Sequence, residues 1–151
     1  MTRLSVNLNK IALLRNSRGI EIPDVVSEGR ICIAAGARGL TVHPRPDQRH
    51  TKPSDVFALA MLVTESPDIE FNIEGNPYPE FLELVKKARP TQCTLVPDDP
   101  NQLTSDHGWD LKKEGEELIP VIKELQDSGI RVSLFMDPVQ EQIERAREIG
   151  P

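Results

Sequence analysis

The stretch GARGLTVHPRPDQRH, residues 36–50, holds the reading that decides the fold. Small residues and glycine interrupt a helical pattern, a β-rich run follows at once from Gly39 to His43, and its carboxyl end turns polar and meets Pro44. The same unit recurs in ARPTQCTLVP (88–97) and SGIRVSLFMD (128–137). Working outward, β-rich runs are predicted at Leu4 to Asn7, Gly39 to His43, Ile69 to Ile73, Gln92 to Val96 and Arg131 to Phe135. Helical patterns lie around Val25 to Ala35, Ser54 to Val63, Pro79 to Ala88, Glu114 to Ser128 and Val139 to Ile149. Such alternation belongs to βα units on a parallel sheet rather than to a meander.

The punctuation agrees with that pattern. Gly36, Gly39 and Gly129 are expected just past helix ends, where a left-handed backbone is tolerated. Ser54 reads as a helix N-cap, and Asp137 followed by Pro138 as a helix start. Pro120 falls inside a helical pattern and either kinks that helix or marks its first turn. Five strands at this spacing extrapolate to about 250 residues for eight, the usual length of a TIM barrel. The expectation is therefore an α/β chain, 1–151 as a single domain, supplying about the first five βα units of a (β/α)8 barrel. The pattern stops at Gly150 and Pro151, where a sixth strand is due, so the sequence reads as truncated. An open doubly wound sheet is the competing architecture, although no GxGxxG or GxxxxGK[ST] follows any strand.

A chain of 151 residues, 38% apolar and 28% charged, is long enough to bury a substantial core. Its net charge of -6, with the eighteen Lys and Arg scattered, argues against a nucleic-acid surface. Small anions remain possible ligands, because a few local cations suffice for them. Cys32 and Cys93 form no CxxC pair and read as buried free thiols. No apolar run reaches the roughly 18 residues of a membrane helix, and the amino terminus lacks a signal peptide's core, so a reducing, cytoplasmic setting is expected.

In parallel α/β folds the chemistry gathers at the carboxyl ends of strands and on the loops after them. The densest cluster there is His43, Arg45, Arg49 and His50. Arg offers a planar fork for phosphate oxygens, and His a proton acceptor with an ordinary pKa of about 6.5. A solvated basic loop stiffened by Pro44 and Pro46 is the alternative. Glu74 closes the apolar run FNIE, where desolvation moves a carboxylate toward the range of proton transfer. A strand-end ion pair explains it equally well. Asn7, after the first strand, and Arg18, in the glycine-bounded loop that follows, could fix a carbonyl or a phosphate. Thr104, Ser105, Asp106 and His107 form a polar loop after the fourth strand, which Trp109 is expected to anchor by burying its ring. Lys112, Lys113 and Glu114 to Glu117 read as a solvated helix start.

Taken in order, VNLNKIALLRNSRG, GLTVHPRPDQRH, FNIEGNP, TLVPDDPNQLTSDHGWD and GIRVSLFMDP resemble successive blocks of the pyridoxine 5'-phosphate synthase family, and the resemblance covers essentially the whole chain. It implies a TIM-barrel transferase of vitamin B6 biosynthesis that joins 1-deoxy-D-xylulose 5-phosphate to 3-amino-2-oxopropyl phosphate. It implies no metal, no organic cofactor and a homo-oligomer, an octamer in the family. By the same resemblance His43 is a proton acceptor and Glu74 a second acid/base group. Arg45, His50 and Thr104 bind the sugar phosphate, and Asn7 and Arg18 the amino-ketone phosphate. The chain departs from the family at Asn9 and Lys10, where many members carry Asp-His. A family proton-donor His, an acidic residue and Gly-rich phosphate loops fall beyond Pro151. Another phosphate-binding barrel lyase or isomerase, with Lys10 as the Schiff-base candidate, and an inactive half-barrel are the alternatives.

Overall fold

The computed structural model describes residues 2–151, which divide into two compact units, one running through Glu74 and the other from Gly75 to Pro151. The first unit carries β1 (Ser5–Asn7), α1 (Asn9–Arg18), α2 (Val25–Ala34), β2 (Gly39–Val42), α3 (Pro53–Thr64) and β3 (Glu70–Gly75). The second carries α4 (Pro79–Ala88), β4 (Gln92–Leu95), α5 (Leu111–Asp127), β5 (Arg131–Leu134) and α6 (Gln140–Ile149). Every strand pairing within a unit is parallel, and the chain alternates strand and helix throughout. This is the α/β class and the βα repeat that the sequence predicts. Among the described residues no helix is long and apolar enough to cross a membrane.

In the first unit β1 pairs with β2 (Asn7 opposite Thr41) and β2 with β3 (Thr41 opposite Asn72, Val42 opposite Ile73). Because side chains alternate along a strand, register sorts them into two faces. Leu40, Val42, Phe71 and Ile73 are fully buried on one face, and Val56 and Leu59 of α3 are fully buried in the same unit. Each such side chain contributes about 1.5–3 kcal/mol on burial. Gly29 lets α2 lie close, since a Cβ there would stand 3.2–3.3 Å from Leu40, Leu59 and Leu62. The other face is polar: Ser5 Oγ meets Thr41 Oγ1 at 2.8 Å, and Asn72 Nδ2 donates to Thr41 Oγ1 at 3.5 Å.

The second unit packs Leu118, Ile122 and Leu125 of α5 with Cys93, Leu95 and Val132 in its core. Burial pushes the Cys93 thiol up to about 12, so it stays protonated and inert at neutral pH. Cys32, expected to be buried, is only half-buried on α2. Trp109 anchors its loop as predicted: it is buried, its Nε1–H donates to the Leu95 carbonyl at 2.8 Å, and its backbone N–H to that of Phe135 at 3.0 Å.

Several sequence expectations are corrected. The stretch after β1 is not a loop but α1, closed by Gly19 at a φ of 65°. Its apolar residues ring the helix, with Leu13 and Leu14 exposed while Ala12 and Arg15 are buried, so no amphipathic stripe marks it. Gly39 is the first residue of β2 rather than a helix terminator. Unlike Gly36 and Gly129 it has no positive φ, and it is small because a Cβ would fall 2.7 Å from Ser5 Oγ. Helix α3 begins at Pro53, not after Ser54: Lys52 is the N-cap residue and its N–H donates to the Asp55 carboxylate at 2.8 Å. Helix α5 starts at Leu111 and runs through Pro120, which lies on an exposed side and is not the first turn. Helix α6 starts at Gln140, past Asp137 and Pro138, because the Asp137 carboxylate accepts instead from Gly108 N–H at 3.1 Å.

That last contact makes Gly108 the tightest backbone approach of the second unit. A Cβ there would sit 2.3 Å from Asp137 N and 2.6 Å from Met136 Cα, both backbone atoms that cannot swing aside. Gly108→Ala is expected to destabilise the fold by about 1–3 kcal/mol, the usual cost of overpacking. The measurement is the urea midpoint, and an unshifted midpoint would contradict the close approach.

Candidate functional site

The carboxyl end of β2 runs directly into the cationic segment. His43 and Arg45 are 7% and 5% exposed, so neither is a solvated loop residue. The imidazoles of His43 and His50 stand edge-on, with ring centroids 6.2 Å apart. His50 Nδ1 is buried and finds no hydrogen-bond partner among the described residues. Burial first, and then the positive charges of Arg45 and Arg49, hold the His50 pKa below its ordinary 6.5, so the ring is neutral at pH 7. Arg49 turns toward Asp47, with Nε to Oδ2 at 2.6 Å. Burial pushes the Asp47 carboxyl up, but the Arg49 backbone N–H and then its guanidinium together hold it below its usual value.

From β3, Glu74 lies on the same alternating face as Asn72 and is half-buried. Asn7, at the end of β1, donates from Nδ2 to Glu74 Oε2 at 3.4 Å, a long bond that nonetheless places both residues at one end of the unit's sheet. The structure thus brings together His43 with His50, and Asn7 with Glu74. Arg18 is different. It is the last residue of α1, exposed, and belongs to no loop. Thr104 lies in the second unit, exposed, and its carbonyl accepts from Gln102 Nε2 at 2.8 Å. In that same loop Ser105 Oγ donates to Asp98 Oδ2 at 2.6 Å, and Asp106 Oδ1 meets His107 Nδ1 at 2.6 Å, which raises the His107 pKa. Among the described residues no group of three or more His, Cys, Asp or Glu is placed to hold a metal ion.

What sequence reading misses is the support beneath the segment. Arg15 on α1 and Asp55 on α3 form a buried two-pronged ion pair, Nη1 to Oδ1 at 2.6 Å and Nη2 to Oδ2 at 2.8 Å. The hydrogen bonds that Arg15 donates to Asp55 raise the Arg15 pKa against the opposing desolvation. Arg15 also donates from Nε and Nη2 to Asn16 Oδ1 at 3.1 and 3.0 Å, which fixes the orientation of that amide. Asn16 Nδ2 is then aimed at the carbonyls of Gln48, Arg49 and His50, at 3.2, 3.1 and 2.7 Å. Further along, Asn9 Oδ1 accepts from His43 N–H at 2.8 Å and from the fully buried Thr51 hydroxyl at 2.9 Å. The one available signal is Arg15, a charge that directly follows the apolar run Ile11 to Leu14.

Two predictions follow from this geometry. Asp55→Ala strands a buried guanidinium and should cost about 3–5 kcal/mol, whereas Arg15→Met combined with Asp55→Leu should cost markedly less, because no lone charge stays buried. Denaturant midpoints of the single and double variants check this, and equal losses would show that the pair is not desolvated. The second concerns acid. A base whose folded pKa lies below its unfolded value binds fewer protons when folded, so His50 withdraws stability as pH falls below 6.5 and levels off below its folded pKa. His107, with its pKa raised, acts only above 6.5 and in the opposite sense. The stability advantage of wild type over His50→Asn should therefore shrink on going from pH 7 toward pH 5. A difference that stays constant across that range would show that the ring titrates normally.

With the site described, comparisons with known proteins add a family. A sequence model described as "Pyridoxal phosphate biosynthesis protein PdxJ" matches residues 4–151. Pyridoxine 5'-phosphate synthase of Xanthomonas campestris pv. campestris is 55% identical over 156 aligned positions, which cover 99% of this chain and 60% of that protein. Pyridoxine 5'-phosphate synthase of Brucella suis is 55% identical over 149 positions, covering 98% of this chain and 61% of the relative. The chain therefore spans about three fifths of the length of these curated relatives. A match running almost end to end, together with identity at this level, makes the chain a member of the PdxJ family of pyridoxal phosphate biosynthesis proteins.

Proposed function

We propose that the full-length protein is a pyridoxine 5'-phosphate synthase, to which residues 4–151 contribute part of the active site. It would condense 1-deoxy-D-xylulose 5-phosphate with 3-amino-2-oxopropyl phosphate to give pyridoxine 5'-phosphate, inorganic phosphate and water. The family match extends from residue 4 to 151, which supports reading both compact units as parts of one (β/α)8-barrel domain. Homo-oligomeric assembly and a cytoplasmic setting belong to the same reading.

The observation that carries it is the burial of His43 and Arg45 beside His50. A solvated basic loop would leave those charges in water, whereas a buried guanidinium next to a neutral imidazole with a free ring nitrogen suits a phosphate ester. Arg45 supplies charge. His50 supplies a neutral donor or acceptor, because its depressed pKa keeps it unprotonated at pH 7. His43 is assigned the proton acceptor role and Glu74 the second acid/base role. Asn7 and Arg18 are assigned to the amino-ketone phosphate and Thr104 to the sugar phosphate. Schiff-base formation, phosphate elimination, ring closure and aromatisation are successive proton transfers on anionic substrates, so bases and anion clamps are what the reaction requires.

The test is an assay of the full-length protein with both substrates, following pyridoxine 5'-phosphate and released phosphate. His43→Asn is expected to lower turnover by about 10²- to 10⁴-fold, the range for one positioned acid or base, with an unchanged circular dichroism spectrum. Near-normal turnover in that variant removes His43 from the mechanism, and absence of product with the unsubstituted protein ends the reading.

A further inference from the structure

Asn9 is hydrogen-bonded to three polar groups of the first unit. Its Oδ1 accepts from the backbone N–H of His43 at 2.8 Å and from the Thr51 hydroxyl at 2.9 Å. A backbone N–H can only donate, so the atom facing it must be the amide oxygen, and the amide orientation is fixed. The Asn9 backbone N–H in turn donates to Asn7 Oδ1 at 2.9 Å, which leaves Asn7 Nδ2 to face Glu74 Oε2 at 3.4 Å. One residue at the start of α1 therefore holds the backbone of His43 on one side and the amide that reaches Glu74 on the other. Thr51, fully buried, locks the far end of the cationic segment to the same oxygen.

We propose that Asn9 is a positioning residue of this protein's synthase reaction, setting the place of His43 through its backbone and the aim of Asn7 toward Glu74. The inference rests on the proposed function and deepens it. An amide does this without adding charge beside the imidazole. A carboxylate of the same shape would keep both acceptor bonds but stabilise the protonated ring by Coulomb attraction at short range. A larger apolar side chain would lose both bonds and leave the His43 N–H and Thr51 hydroxyl without an acceptor.

The experiment compares Asn9→Leu, Asn9→Asp and Thr51→Val in the full-length protein, measuring kcat, KM for each substrate and the pH profile of kcat, with His43→Asn as reference. Asn9→Leu is expected to lower kcat at least tenfold with KM within about threefold, because the reacting group shifts while the anion clamps stay; Thr51→Val should lie between it and wild type. Asn9→Asp should recover most of the turnover lost in Asn9→Leu and move the acidic limb of the profile to higher pH. Arg45 and His50 of the same segment, Glu74 of β3 and Lys10 of α1 are common to wild type and Asn9→Asp, so a moved limb isolates position 9. A kcat in Asn9→Leu like that of wild type would overturn the inference. So would an acidic limb that stays in place in Asn9→Asp, since a purely structural residue predicts no movement. If His43→Asn itself keeps its turnover, the functional reading fails first, and that result is visible independently of the position 9 variants.

Discussion

The buried pair between Arg15 and Asp55 is the constraint on which the rest of the first unit's site depends. Isolated, such a pair is a poor source of stability, because removing two charges from water costs several kcal/mol per ion and the attraction returns it only with good geometry and further hydrogen bonds. Here the further bonds are present. Asp55 also accepts the N–H that opens α3, and Arg15 also saturates the oxygen of Asn16. The pair therefore joins α1 to the start of α3 and, through Asn16, turns a side-chain amide toward three consecutive carbonyls of the segment between β2 and α3. Its effect is specificity of arrangement more than depth of the energy minimum.

That segment needs holding. Gln48 adopts a φ of 53°, a left-handed conformation that a residue with a Cβ tolerates only when its surroundings impose it. Its N–H closes a turn on the Arg45 carbonyl at 2.9 Å, and its own carbonyl is one of the three that Asn16 reaches. At the two ends, His43 and Thr51 share the oxygen of Asn9. A run of nine residues carrying two imidazoles and two guanidiniums is thus fixed at its start, its end and its last turn by side chains of α1. His50 stays buried in a positive field, which is the physical origin of its depressed pKa.

This division explains what could be read from the sequence. Strands and most helices were legible, because the strand runs after the first have Gly or Pro close by and each amphipathic helix shows its apolar stripe. Helix α4, Pro79–Ala88, is an example: it has proline in its first turn and buries Phe81 and Val85 on one side. The functional candidates at strand ends were legible as residue types, since His43, Glu74 and Asn7 sit where β2, β3 and β1 finish or have just finished. Helix α1 was not legible. Its buried face consists of Ala12 and an arginine, and no periodicity distinguishes an arginine that is buried against a distant aspartate from one that points to solvent. The helix boundaries at Pro53 and Gln140 were missed for a related reason: Asp55 and Asp137 satisfy backbone N–H groups chosen by tertiary structure, at Lys52 and Gly108, and local sequence does not say which.

Parallel register completes the account of why these candidates gather at all. With Asn7 opposite Thr41 and Thr41 opposite Asn72, residues two apart on each strand share a face, so Ser5, Asn7, Thr41, Asn72 and Glu74 fall on the polar side. Leu40, Val42, Phe71 and Ile73 fall on the buried one. A slip of one residue in β3 would send Glu74 into the apolar layer and Ile73 to the polar side, an exchange whose cost in buried apolar area and desolvated charge is several kcal/mol. The same hydrophobic pattern that fixes the core therefore fixes the polar row, and the position of a candidate acid such as Glu74 follows from the packing of its neighbour Ile73. Chemistry at the strand ends is a by-product of register; only the fine aim of each group requires the amides of α1 and β1.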